Sequence, residues 1–152
     1  MATILITGAT DGIGLALVQQ FGAAGHQMIL VGKRPFPTLN NPLFTPKNYC
    51  QTDLAQPDAA STITNWLAAH QIDALDLLIH NAGTGYFGSL AEQSLDQIDR
   101  LLLVNLHSPI ALTHELFPQL KKAKGVVVFV SSVATAVPTP EYAVYGASKM
   151  AL

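Results

Sequence analysis

Apolar residues occur in this chain as short unbroken runs, separated by stretches in which they repeat at helical spacing. Residues 2–7 (ATILIT) are a β-branched run without polar alternation, the mark of a strand buried on both faces. A glycine-rich stretch follows. Ile13, residues 15–18 and Phe21 then repeat at helical spacing up to Gly22 and Gly25, which predicts a helix and its stop. Residues 27–31 predict a second strand. Residues 32–46 hold Pro35, Pro37, Pro42 and Pro46 and predict a loop or broken helix. Residues 48–52 are a weak third strand. A helix is expected from Pro57, at its N1 position, to about His70, with Ile63, Trp66 and Leu67 on one face. Residues 75–79 predict strand four and residues 81–89 a glycine-containing loop. Ser94 and Gln97 form a capping-box pattern ahead of a long apolar helical stretch to about Leu120. Residues 126–130 predict strand five, 137–140 a loop, and Tyr145 the start of a last helix. The order β-α-β-(loop)-β-α-β-α-β-α implies parallel strands with right-handed crossovers on both faces.

Composition narrows this further. The chain has 152 residues, about one domain's worth, and no linker or repeat divides residues 1–152. Apolar residues make up 49% and charged residues 12%, which excludes a disordered chain. Eight Lys and Arg against ten Asp and Glu, a net charge of −2, leave no basic nucleic-acid footprint. The longest apolar runs fall far short of the ~18 residues of a membrane span. The start, MATILITGAT, lacks the basic region of a secretory signal. A single cysteine, Cys50, fits a reducing, cytoplasmic setting. His80 reads as structural, and His26, His70, His107 and His114 show no metal-ligand spacing.

Thr7-Gly8-Ala9-Thr10-Asp11-Gly12-Ile13-Gly14 lies between the first strand and the first helix. Its spacing is G-x-x-x-G-x-G. Missing side chains let the backbone approach a pyrophosphate, and the free N–H groups at the helix start face the anion. Strand before and helix after favour nucleotide binding over an ordinary glycine turn.

That loop, Asn81-Ala82-Gly83, Ser132 and Tyr145-Gly-Ala-Ser-Lys149 together resemble the short-chain dehydrogenase/reductase family in its classical branch, from Ala2 to the last residue. The resemblance implies a three-layer doubly wound (Rossmann-like) parallel sheet of order 3-2-1-4-5. It implies carbonyl–alcohol interconversion by hydride transfer with NAD(P)(H), a small-molecule substrate, and homo-oligomers among full-length relatives. Tyr145 would transfer the proton. Lys149, four residues on and on the same helix face, would favour the phenolate and hold the nicotinamide ribose. Ser132, 13 residues before Tyr145, would hydrogen-bond the substrate oxygen; Ser131 competes for that role, and adjacent residues at a strand end point to opposite faces. Asn105 would kink the long helix and support a water chain to the lysine. Asn81, Ala82 and Gly83 would stabilise the sheet and border the adenosine. Asp53, with Leu54, would receive the adenine amino group. The alternatives are a helix asparagine bonded to local backbone and an isolated surface aspartate.

Strand two ends in Val31-Gly32-Lys33-Arg34, with no carboxylate to select the ribose 2′-hydroxyl of NAD. Two cations there suit a 2′-phosphate, so NADP(H) is favoured over NAD(H). Asp11 opposes this, because its carboxylate would sit near the same phosphate. The visible pocket walls, with Tyr86, Phe87 and Tyr142, admit many carbonyls and alcohols. The sequence stops three residues after Lys149, before a sixth strand. Strand five is therefore expected to have an unpaired apolar edge, and the 152-residue chain to bind cofactor through its adenosine half and turn over poorly. Three readings follow: a family member truncated in its C-terminal part, a non-catalytic nucleotide-binding module, or an inactive remnant.

Overall fold

In the computed structural model, which describes residues 1–137 and 139–152, five parallel strands form one sheet. They are β1 (Thr3–Thr7), β2 (Gln27–Gly32), β3 (Tyr49–Gln51), β4 (Leu77–His80) and β5 (Val126–Phe129), in the order β3-β2-β1-β4-β5. The expected doubly wound order is observed. Helices α1 (Gly12–Ala23), α2 (Ala59–Ala69), α3 (Leu95–Leu102), α4 (Ser108–Glu115), α5 (Phe117–Ala123) and α6 (Ala143–Met150) complete the fold.

Alternate strand residues feed two separate cores, as the pleat requires. Leu5, Ile29, Val31 and Leu78 face Ile63 and Leu67 of α2 and Leu112 of α4. Ile4, Ile6, Leu30 and Ile79 face Val18 of α1 and the proline-containing segment, through Leu39 and Phe44. Both faces are covered, so the strands carry no polar alternation. The segment 32–46 is not bare loop. It contains a 3₁₀ turn at Phe36–Thr38, and its Phe44 meets Tyr49 edge-on, 5.6 Å between ring centres. The Tyr49 hydroxyl lies 2.8 Å from the Gly32 carbonyl and 2.7 Å from that of Arg34, which fixes the exit of β2. Burial first, and Cys50 beside it, push that phenol up to about 12 against the pull of Arg34.

Several boundaries differ from expectation. β4 begins at Leu77, not Leu75; Leu75 is fully buried, but its amide bonds Gln119 rather than a strand, and apolar character alone does not separate the two. α2 begins at Ala59, two residues after Pro57. α6 begins at Ala143, so Tyr145 sits inside its first turn. The long helical stretch is broken into α3, a π-turn at Leu103–His107, α4 and α5; Pro109 and Pro118 each sit in the first turn of a new piece, where a missing N–H costs nothing. The Ser94–Gln97 capping box forms as expected. Pro138, in the expected 137–140 loop, lies outside the described residues. β5 pairs only with β4 among the described residues; Val126 and Val128 on it are 58% and 40% exposed, so the expected open apolar edge is present.

His80, at the end of β4, is 2% exposed. Its ring stacks on Phe129 of the neighbouring strand. Its Nε2 lies 2.8 Å from Thr113 Oγ1, whose own proton goes to the Pro109 carbonyl; the imidazole therefore donates through Nε2. Burial lowers its pKa to about 4. The unfolded state takes up a proton near pH 6.5 and the folded state does not. Stability is thus complete above pH 6.5 and falls as pH drops toward 4, by about 2 kcal/mol between pH 7 and 5. Urea unfolding at the two pH values should show this loss, and His80→Gln should flatten it. An unchanged slope in the variant would place the titration elsewhere.

Candidate functional site

The chain crosses from the β2 side of β1 to the β4 side, so the loops after β1 and β4 diverge at the carboxyl end of the sheet, where α/β folds bind ligands. Thr7, Gly8, Asn81 and Ala82 knit the two loops together. The buried Thr7 hydroxyl accepts from the Asn81 amide (3.2 Å) and the Ala82 amide (3.1 Å). Asn81 Nδ2 donates to the carbonyls of Thr7 and Gly8, both at 3.1 Å. Gly8 has φ +65°, and a Cβ there would come 2.8 Å from Ala82 Cα. The side chain of Thr7 therefore faces the sheet and acts as a staple.

Beyond this seam a cavity of about 460 Å³ is lined by Gly8, Thr10, Gly12, Lys33, Asp53 and Ala82, among others including Ile13, Leu54, Asn81, Gly83 and Arg100. Gly14 lies below it, packed on the Gly8 carbonyl and Asn81. Asp11 caps α1: its Oδ1 accepts from the Gly12 amide at 2.8 Å. Its Oδ2 meets Arg34 Nη2 at 2.9 Å. Of the two expected cations, Arg34 is thus already paired with an aspartate; Lys33 has no ion-pair partner among the described residues.

Asp53 follows β3 and is not an isolated surface carboxylate. Arg100, in the last turn of α3, reaches it with Nη2 at 3.2 Å from Oδ1 and 2.9 Å from Oδ2, and the Ala55 amide donates to Oδ1 at 3.1 Å. Burial works to raise the Asp53 pKa, yet those hydrogen bonds and the charges of Arg100 and Lys33 hold it below the ordinary carboxylate value. Arg100 escapes a reading of the sequence, because its partner is 47 residues away.

The other end of the site is built by α6 and the π-turn. Asn105 is fully buried in that turn. Its Oδ1 accepts from the Thr84 amide and its Nδ2 donates to the Thr84 carbonyl, both at 2.8 Å. Nδ2 also reaches Ser148 Oγ at 3.1 Å, and that hydroxyl donates to the Tyr145 carbonyl at 2.7 Å. Asn105 therefore bonds distant elements rather than local helix backbone, and it docks α6 against the loop after β4. Ser148 was not among the expected site residues; it lies inside the Tyr145–Lys149 stretch but has no charge or ring to mark it. Lys149 is 5% exposed, and its Nζ donates to the Val130 carbonyl at 2.9 Å. Burial lowers its pKa below the usual lysine value. Two of its three N–H donors remain. A Cβ at Gly83 would lie 3.5 Å from Lys149 Nζ and 3.6 Å from Asn105 Oδ1, so Gly83, which lines the cavity, packs directly beside both groups. The Tyr145 ring meets Tyr142 edge-on at 5.0 Å, and Tyr142 meets Phe87 at 5.5 Å. The Ser131 hydroxyl donates to the Lys149 carbonyl at 3.1 Å, whereas that of Ser132 accepts from the Ala134 amide at 3.2 Å and keeps its own proton to donate.

This glycine loop at a helix N-terminus and the aromatic–lysine end beside it are joined through the loop after β4. Comparison with known proteins gives the arrangement its relatives. The model of the short chain dehydrogenase family matches residues 2–152. Dehydrogenase/reductase SDR family member 7B of Xenopus laevis is 32% identical over 163 residues, covering 99% of this chain and 50% of that protein. An oxidoreductase of Brucella ovis, solved with a partially ordered NAD, superposes with a TM-score of 0.86 at 31% identity, covering 99% of this chain and 72% of that one. A metagenomic short-chain oxidoreductase solved with NADP gives 0.85 and 31%, covering 99% and 71%. The chain spans about half the length of the curated relatives it matches. With the family model matching residues 2–152 and the fold shared with these solved oxidoreductases, the chain belongs to the short chain dehydrogenase family.

Proposed function

We propose that the protein is an NAD(P)(H)-dependent oxidoreductase that interconverts a carbonyl and an alcohol, with Tyr145 as the proton donor and acceptor. The observation that carries this reading is the approach of Lys149, Asn105 and Gly83 beside the cavity that begins at the glycine loop. A bound nicotinamide dinucleotide supplies or accepts the hydride. The residues present fit such a group. The first-turn amides of α1 have no carbonyl partner within the helix and, with Gly8, Thr10, Gly12 and Ile13 around them, suit a pyrophosphate. Asp53 and Leu54 on one side and Asn81, Ala82 and Gly83 on the other flank the space for adenosine.

Tyr145 gives its proton to the substrate oxygen in reduction and takes it back in oxidation. The buried ammonium of Lys149 favours the phenolate form, and its two free donors can reach a ribose hydroxyl. Ser132 donates its remaining proton to the same substrate oxygen. Asn105 keeps α6 in register through Thr84 and Ser148, so that Tyr145 holds its angle to the site. A small carbonyl or alcohol substrate, a cytoplasmic setting and assembly into homo-oligomers complete the reading.

NADP(H) is the favoured cofactor. The exit of β2 offers Lys33 and Arg34 and no carboxylate of its own, and the Tyr49 hydroxyl bonds the carbonyls on either side of Lys33, those of Gly32 and Arg34. The Asp11–Arg34 pair competes with a 2′-phosphate for the guanidinium and narrows the preference. Lys33→Ala with Arg34→Ala should weaken NADPH by about tenfold or more, as for a charge-assisted contact, and NADH far less. Titration of both nucleotides checks this; equal losses would mean that the pair does not read the 2′-phosphate.

A further inference from the structure

We propose that Arg100 is a positioning residue for nucleobase recognition: it fixes the Asp53 carboxylate so that its last open acceptor position faces the cavity and takes the 6-amino group of adenine. This rests on the reading of the cavity as a nucleotide site. A carboxylate offers about four acceptor positions. Arg100 Nη2 uses one on each oxygen, at 3.2 and 2.9 Å. The Ala55 amide takes a second on Oδ1 at 3.1 Å. One position is left, on Oδ2. The carboxylate side chain is 30% exposed, and both residues line the cavity, so that position is open to a ligand. An ion pair this exposed contributes little to stability. Its effect is orientation: a carboxylate on a loop after a three-residue strand would otherwise rotate, and its charge would attract any donor. The guanidinium, anchored in α3, pins both oxygens and converts a general anion into a directed acceptor. Arg100 therefore acts on the ligand only through Asp53.

The test compares ADP with purine riboside 5′-diphosphate, which is ADP without its 6-amino group, by calorimetry on the whole chain. The wild type should prefer ADP by about tenfold, the weight of one hydrogen bond to a charged group. Arg100→Gln should bring the two within about threefold, and Asp53→Ala should do the same. The double variant should show no further loss, as expected for residues acting through one contact. Arg100→Lys, which keeps a charge but only a point contact, should retain part of the preference and serves equally if the glutamine variant does not fold. The ratio is read within one sample, so a fraction of unfolded protein cancels. A full preference in Arg100→Gln or Arg100→Lys together with its loss in Asp53→Ala would overturn the positioning role. A wild type that binds both nucleotides equally would overturn it as well. A wild type that binds neither would instead overturn the nucleotide-site reading, and the proposal with it.

Discussion

Tyr145→Phe is expected to lower carbonyl–alcohol turnover by about 100- to 10,000-fold, the usual weight of a positioned acid–base group, while nucleotide affinity stays within about twofold. The substitution removes one oxygen and keeps the ring. The edge contact with Tyr142 and the packing against the loop at Gly85, where a Cβ would meet the Tyr145 ring at 3.5 Å, are retained. Among the described residues no hydrogen bond runs through the phenol; the bond that docks α6 uses the Tyr145 carbonyl. The loss should therefore fall on kcat, with KM for the nucleotide little changed. Steady-state kinetics on this chain, and on any longer chain that carries it, make the check. Unchanged kcat would remove Tyr145 from the proton transfer. A matching loss of nucleotide affinity would mean that the ring, not the hydroxyl, matters.

Gly14→Ala should damage both the fold and nucleotide binding. A Cβ there would overlap the Gly8 carbonyl oxygen and come 2.6 Å from Asn81 Nδ2. Both are parts of the seam that binds the loop after β1 to the loop after β4. Neither can yield cheaply, because one is backbone and the other is pinned by two hydrogen bonds. Helix α1 must move off the sheet instead, at about 3 kcal/mol or more. In a chain of this size that lowers the melting temperature by roughly 6–12 °C. The same shift opens the phosphate loop, so nucleotide binding should fall with stability. Gly22→Ala is the control. It lies in the same helix with nothing within 4 Å of the added methyl and should stabilise by about 0.5–1 kcal/mol. Thermal unfolding of the two variants should move in opposite directions; a harmless Gly14→Ala would show that the close approach does not govern the loop.

Much of the fold is legible in the sequence because its signals are local. Double-sided burial erases polar alternation in β1, β2 and β4, and the glycine loop sits where a strand turns into a helix. Ser94 and Gln97 carry their capping box within four residues. What escapes the sequence is what depends on partners far along the chain. The π-turn at Leu103–His107 has no pattern of its own; it accompanies an Asn105 whose partners lie 21 and 43 residues away. The same distance hides Arg100 behind Asp53, and the inward turn of Thr7 toward Asn81. Leu75 reads as strand because burial and strand character look alike in an apolar run. Lys33 and Arg34 are visible as a pair of cations, but only the folded chain puts Asp11 on one of them.

The central claim, nucleotide-dependent carbonyl reduction at this site, is tested most directly by following NADPH absorbance while the protein is offered a panel of aldehydes and ketones. The expected result is NADPH consumption matched one to one by alcohol, and absent in Tyr145→Phe. NADPH that binds but is not consumed with any carbonyl, in a longer chain that carries this one as well as in this chain, would contradict the oxidoreductase reading and leave a nucleotide-binding module.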